Sequence, residues 1–137
     1  MIKKISSAET HNLRKNVLGE NIPEYEFIYN GDDDEKTFHL GYFDKEILYG
    51  ILTVMQTDET TFQFRGMAVL QNQQGKNIGG KLLERATELV KPKAKLIWLN
   101  ARKWVIPFYI KNGFEGEGDY FHIERIGLHL KMRKLIN

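Results

Sequence analysis

The 137-residue sequence has no cysteine, only three prolines and only four histidines. It also has no apolar run near the length of about 18 residues that a membrane-spanning helix needs. Each absence removes a class of protein. Without cysteine there is no disulfide, no thiolate nucleophile and no Cys-based zinc site. The histidines stand at His11, His39, His122 and His129. No two are four apart, so a helical two-His metal site is missing and no metal is expected. The opening Met1-Ile2-Lys3-Lys4-Ile5-Ser6 turns polar at once and lacks the apolar stretch of a secretory signal. The expected location is therefore cytoplasmic, with no membrane partner. An excess of one charge sign is also lacking, with 20 basic and 18 acidic residues. That balance argues against a dedicated nucleic-acid binder. The length suits one domain over residues 1–137, able to build a core without staples.

The balance conceals a segregation. Seven acids and no Lys or Arg lie between Glu20 and Glu35, whereas nine bases and two acids lie between Lys76 and Lys111. The basic stretch suits a polyanionic small ligand. A plain solvated helix face is the competing reading.

Residues 1–5 read as a strand. Ser6 and Glu9 have capping-box spacing ahead of a helical stripe at Leu13, Val17 and Leu18, which Gly19 stops. Residues 21–35 read as a loop. Two β-rich runs, 37–43 and 47–55, flank the polar Asp44-Lys45-Glu46 and predict a hairpin, and residues 62–70 form a further strand. Ile78, Leu82, Leu83, Ala86, Leu89 and Val90 recur at helical spacing before Pro92. Residues 95–100 are a short strand covered on both faces. A helix starting no earlier than about residue 103 tolerates Pro107 in its first turn and stops at Asn112-Gly113. Strands over 114–123 and 127–134 close the chain. The order β, α, β, β, β, α, β, α, β, β predicts an α/β (α+β) fold: a mixed, mostly antiparallel twisted sheet with helices on both faces.

The chemistry concentrates in Gln74-Gly75-Lys76-Asn77-Ile78-Gly79-Gly80, between a strand and a helix. Glycines let backbone approach a ligand, and free N–H groups at a helix start can hold phosphate oxygens. The spacing from Gly75 to Lys81 imitates a nucleotide P-loop. However, Leu82 stands where the Mg²⁺-binding Ser or Thr belongs, so NTP hydrolysis is not expected.

With that loop, the sequence resembles the GNAT family of acetyl-CoA-dependent N-acyltransferases. The family loop Q/R-x-x-G-x-G/A falls on Gln74, Asn77 and Gly79. Asn100-Ala101-Arg102 and Phe108-Tyr109-Ile110-Lys111-Asn112-Gly113-Phe114 match downstream family segments, and Arg65-Gly66-Met67-Ala68-Val69 looks like its fourth strand. The closing segment, Gly118 to Met132, looks like an uncharacterised bacterial subgroup. The resemblance is firm over residues 62–132.

It implies acetyl-CoA as cosubstrate, received between splayed fourth and fifth strands. Met67, Ala68 and Val69 would line one side and Asn100 the other. Gln74, Gly75, Lys76, Asn77, Ile78, Gly79 and Gly80 would hold the pyrophosphate, and Phe108 would also contribute to the site. Lys76, Lys81 or Arg102 would add charge near the phosphates. Tyr109 falls at the general-acid position, which would make it the catalytic residue protonating the leaving thiolate. The acceptor would be a small-molecule or peptide amine attacking the thioester directly, since no cysteine is available to carry an acyl group.

The base is open among His39, the acids of residues 20–35, Glu115, Glu117 and Asp119. His122 and His129 read as structural, and Trp98 and Trp104 as packing residues. The acidic segment lies where the family often forms part of its acceptor site. It reads either as a plain solvated loop or as a cation-attracting rim for the amine, and in the second case neutralising Asp32, Asp33 and Asp34 would raise KM for a polyamine-like acceptor. Exposed strand edges leave a homodimer open. A non-catalytic acyl-CoA-binding module is the alternative function, which Tyr109 speaks against.

The departure at Asn77 generates a test. Asn tolerates positive φ best among residues with a side chain, so the loop survives it. An Asn77→Gly variant is expected to keep CoA binding in calorimetry, and abolished binding would contradict the reading.

Overall fold

The computed structural model describes residues 1–137. Its strands are β1 (Ile2–Ile5), β2 (Thr37–Asp44), β3 (Ile47–Gln56), β4 (Thr61–Val69), β5 (Leu96–Arg102), β6 (Glu115–Ile123) and β7 (Gly127–Leu135). They form one sheet in the order β1-β2-β3-β4-β5-β7-β6. Every neighbour pair is antiparallel except β4 with β5. The mixed, mostly antiparallel sheet predicted from the element order is what forms.

Alternation along β3 shows how the faces are used. Leu52 and Val54 point into the main core, where they meet Leu82, Leu83 and Ala86 of helix α2 (Ile78–Val90). Ile51 points the other way and packs with Leu13 and Ala68 in a smaller cluster, beside Val17 and Leu18. Helical segments thus cover both faces. Burying one large aliphatic side chain contributes roughly 1.5–3 kcal/mol, and α2 buries Ile78, Leu82, Leu83 and Val90 on its sheet side.

The first helical segment is less regular than its periodicity predicts. The capping box closes: Ser6 N–H donates to Glu9 Oε1 at 3.0 Å and Glu9 N–H to Ser6 Oγ at 3.3 Å. A 3₁₀ turn (Ala8–Thr10) then leads through the short helix α1 (His11–Leu13) into a π-helical stretch (Arg14–Leu18), where Gly19 N–H reaches back to Arg14 O. Such a bulge carries no mark in apolar spacing.

The π-helical stretch opens on Arg14, which is fully buried. Its guanidinium grips both carboxylate oxygens of Asp32, at 2.7 and 2.9 Å, and also donates to Phe27 O and Thr53 Oγ1. Loop 19–36 is thereby pinned under the sheet. Of the acids expected to form a rim, Asp32 does not, because it is only 6% exposed and faces inward, while the other six are exposed. Asp33 accepts from Ser7 Oγ, tying the loop to the first helical segment, and Asp34 accepts from the Lys36 N–H. Glu24 pairs with Arg125.

His39 belongs to the same network. Its Nε2 faces Asp32 O, which only accepts, so Nε2 carries the proton. Nδ1 then accepts from Thr53 Oγ1, whose lone pair takes the Arg14 N–H. With both nitrogens used and 4% exposure, His39 is structural and not a base.

Burial pushes the Asp32 carboxyl up, but hydrogen bonds from Arg14 and the Tyr29 N–H outweigh it and hold the group below the usual carboxylate range. A carboxylate depressed in the folded state stabilises fully above its unfolded pKa of about 3.9, and that contribution fades as pH falls through the folded value. Arg14→Met should therefore cost about 3–5 kcal/mol at neutral pH, the usual effect of stranding one partner of a buried ion pair. Asp32→Asn should lose less stability than the native chain on acidification below about pH 4. Denaturant melts between pH 2 and 7 check both, and parallel pH curves for native and Asp32→Asn protein would contradict this account.

Candidate active site

Strands β4 and β5 pair at only three positions, Thr61↔Leu96, Phe62↔Ile97 and Gln63↔Trp98. Beyond Gln63 they part, because each follows its other neighbour. Strand β5 stays paired to β7 along its whole length. Strand β4 stays on β3 but carries one extra residue, since Ile51↔Ala68 and Thr53↔Arg65 leave Gly66 and Met67 opposite Leu52 alone. Gly66 sits at φ 60°, and a Cβ there would come within 2.9 Å of Tyr29. The bulge redirects β4 and leaves its β5-facing edge without a strand partner, so backbone amides there are free for a ligand.

A cleft of about 760 Å³ opens on this gap. Of the residues expected to hold a cofactor, Met67, Ala68, Val69, Gln74, Gly75, Asn77, Ile78, Gly79 and Phe108 line it. Lys76, Gly80 and Asn100 do not. Lys76 turns to Gln73 Oε1. Asn100 is exposed between the buried Leu99 and Ala101 of β5, beyond the last β4 pair and opposite Lys131 of β7.

The loop before α2 is built residue by residue. Gln74 Nε2 donates to Val69 O at 3.0 Å, tying the loop to the end of β4. Gly75 adopts φ 92° with open space around it. Asn77 caps α2 at φ 59°, in the left-handed region. The helix's own bonds begin with Lys81 N–H to Asn77 O, which leaves the N–H groups of Ile78, Gly79 and Gly80 outside that ladder. Gly79 packs closely, since a Cβ would lie 3.1 Å from the tip of the Phe108 ring. At Gly80 a Cβ would lie 2.2 Å from Asn77 Oδ1. The Asn77 side chain thus folds back over the first turn of α2.

The opposite wall comes from helix α3 (Ile106–Lys111). Its end forms a Schellman stop: Gly113 N–H bonds to Ile110 O, Phe114 N–H to Tyr109 O, and Gly113 takes φ 92°. The accompanying apolar contact is Tyr109 against Phe114, ring centroids 5.8 Å apart. The segment Phe108 to Phe114 is therefore a helix terminator that also orients Tyr109.

Tyr109 is half-buried and packs against the main core, edge-on to Phe108 at 5.2 Å; unlike Phe108 it is not among the residues that line the cleft. Burial pushes its phenol well above the ordinary value, against a smaller lowering by Arg102. The hydroxyl therefore stays protonated and available as a donor.

The cleft also takes in residues that the local patterns do not reveal. Val17, Leu18, Glu20 and Asn21 reach it from the first helical segment, and Trp104, Val105 and Lys111 from the approach to α3. Trp104 is 67% exposed, which corrects its reading as a packing residue. Its one hint was its place outside any apolar stripe.

Among the basic candidates, Arg102 lines the cleft and donates to Leu18 O at 2.8 Å, whereas Lys81 lies over the Tyr42 ring. Of the remaining base candidates, Glu115 and Glu117 pair with Arg133 and Lys131. His129 is 5% exposed, and desolvation holds it below the ordinary histidine value. Glu20 is the single carboxylate of the lining, and it accepts from Gln71 Nε2.

Residues 34–116 match the family model of the acetyltransferase (GNAT) domain. The chain is 30% identical over 142 residues to the uncharacterised N-acetyltransferase YitI of Bacillus subtilis, covering 98% of this chain and 95% of that protein. Its fold is shared with Escherichia coli ElaA, at TM-score 0.85 and 18% identity over 98% of both chains. It is also shared with an aminoglycoside 6'-N-acetyltransferase complexed with coenzyme A, at TM-score 0.78 and 14% identity over 100% of this chain and 97% of that one.

The contact between Asn77 and Gly80 yields a double-mutant test. Gly80→Ala should be less favourable in the native background than in an Asn77→Gly background by about 1 kcal/mol, because a Cβ there must displace the Asn77 carboxamide, whereas alanine otherwise gains up to about 1 kcal/mol over glycine within a helix. Equal effects in the two backgrounds, read from denaturant melts, would contradict the contact.

Proposed function

The chain belongs to the GNAT acetyltransferase family, and on that premise we propose that it transfers acetyl from acetyl-CoA to a primary amine by direct attack. The observation that carries the proposal is the parting of β4 and β5 after Gln63, beside the N-terminus of α2. The residues present suit CoA. The unpartnered edge of β4 matches the amides of a pantetheine arm. The free N–H groups of Ile78, Gly79 and Gly80, with open space at Gly75, match a pyrophosphate. Arg102 and Lys111 add positive charge to the same lining.

Acetyl-CoA supplies an activated thioester carbonyl. The backbone N–H near Ala68 or Val69 would polarise that carbonyl, a contribution of about 3 kcal/mol for one donor. The attacking nitrogen must be neutral, and a primary amine of pKa near 10 is mostly protonated at pH 7, so solvent or a side chain removes its proton first. As the C–N bond forms and the C–S bond breaks, the nitrogen sheds its second proton to solvent and the leaving thiolate takes one up. Tyr109, a phenol kept protonated by burial, would supply that proton and be re-protonated from solvent, so that the N-acetyl amine and the CoA thiol are released.

Release of CoA thiol on mixing acetyl-CoA with an amine panel tests the reaction. Thiol release that depends on the amine supports it, and acetyl-CoA binding without release favours a binding module. Tyr109→Phe should lower kcat at least about tenfold while acetyl-CoA affinity changes less than about twofold. Unchanged turnover would remove Tyr109 from the mechanism.

A further inference from the structure

The sheet face opposite α2 carries Arg65, which the reaction described above does not use, together with Arg102, which also reaches the cleft lining. Phe62 and Phe64 of β4 point into the main core, so Arg65 projects from the other face. On β5, Ile97, Leu99 and Ala101 are core residues, so Arg102 projects from that same other face. The two guanidiniums thus stand on opposite sides of the gap. Aromatic rings connect them. Arg65 stacks on Tyr29 at 4.3 Å, the Tyr29 and Tyr25 hydroxyls are 2.7 Å apart, and Arg102 lies 5.8 Å from the Tyr25 ring and 5.9 Å from Trp104.

Neither arginine has a carboxylate partner. The ion pairs of the chain use Arg14, Arg85, Arg125, Lys131 and Arg133. Of the acids expected to face this gap, Asp32 is spent on Arg14 and Glu24 on Arg125, while Asp33 accepts from Ser7 Oγ and Asp34 from the Lys36 N–H. Arg102 has one backbone acceptor, Leu18 O, and its remaining donors are uncommitted. A guanidinium over an aromatic ring, as Arg65 over Tyr29, keeps its planar fork of donors available for a carboxylate. Glu20 adds one carboxylate to the lining, already engaged by Gln71. A gap flanked this way repels a polycation and favours an acceptor with negative charge of its own.

We propose that the acceptor is an amine carrying a carboxylate a few bonds from its nitrogen, held through Arg65 and Arg102. This rests on the acetyl-transfer reading and specifies its substrate class. Arg65 does not line the cofactor cleft, which separates its role from CoA binding.

The test uses matched acceptors, phenylalanine against phenylalaninamide and 4-aminobutyrate against butylamine, with spermidine as a polycation. The expected result is at least a tenfold higher kcat/KM for the carboxylate member of one pair or both, with spermidine poorest. Arg65→Gln should raise KM for the favoured acid at least tenfold with little change in kcat, and Arg65→Lys should fall between. Calorimetric affinity for the N-acetylated acid should drop in the same order, a readout independent of turnover. Transfer without carboxylate preference, or a preference for spermidine, overturns this proposal and leaves the transferase reading intact. Acetyl-CoA binding with no transfer to any amine overturns both.

Discussion

The site depends on one constraint: β4 and β5 cannot stay paired. Strand β5 is committed to β7 from Leu96 to Arg102, and β4 is committed to β3 through a bulge at Gly66. Three parallel pairs hold the two strands at one end, and the sheet opens at the other. The opening leaves a row of backbone groups without strand partners inside a folded protein, a cost tolerated where a ligand supplies the partners. The remaining walls are arranged round this gap. Helix α2 presents its N-terminus to it, α3 closes one flank, and residues 17–21 close another.

The charge pattern takes its meaning from burial. Glu20 to Glu35 looks like an acidic face in one dimension. In three, Asp32 is the counter-ion of a fully buried arginine, and its neighbours are turn acceptors. Burial takes Asp32 alone out of the surface count, and Arg65 and Arg102 stand beside the gap without a carboxylate ion-pair partner, with Glu20 the one acid of the cleft lining.

Much of the fold was legible in the residues. Alternation, turn residues and helical stripes located every strand and the two regular helices, and the capping pair Ser6–Glu9 forms as its spacing implies. The loop and the Phe108–Phe114 segment were legible because their glycines answer local demands: positive φ at Gly75 and Gly113, close packing at Gly79 and Gly80. Features resting on distant partners were not. The π-helical stretch at Arg14, the burial of Asp32 and the exposure of Trp104 each depend on contacts between segments far apart in the chain. Asn100, placed in the site by its motif at the end of β5, is not among the residues that line the cleft.

Hydrogen exchange of individual amides tests the central claim most directly, because the claim concerns backbone groups left open by the splayed strands. Adding acetyl-CoA should slow exchange at Met67–Val69 on β4 and at Ile78–Gly80 on α2, while amides of β1 and β6 keep their rates. Unchanged exchange at both segments under saturating acetyl-CoA would contradict the account.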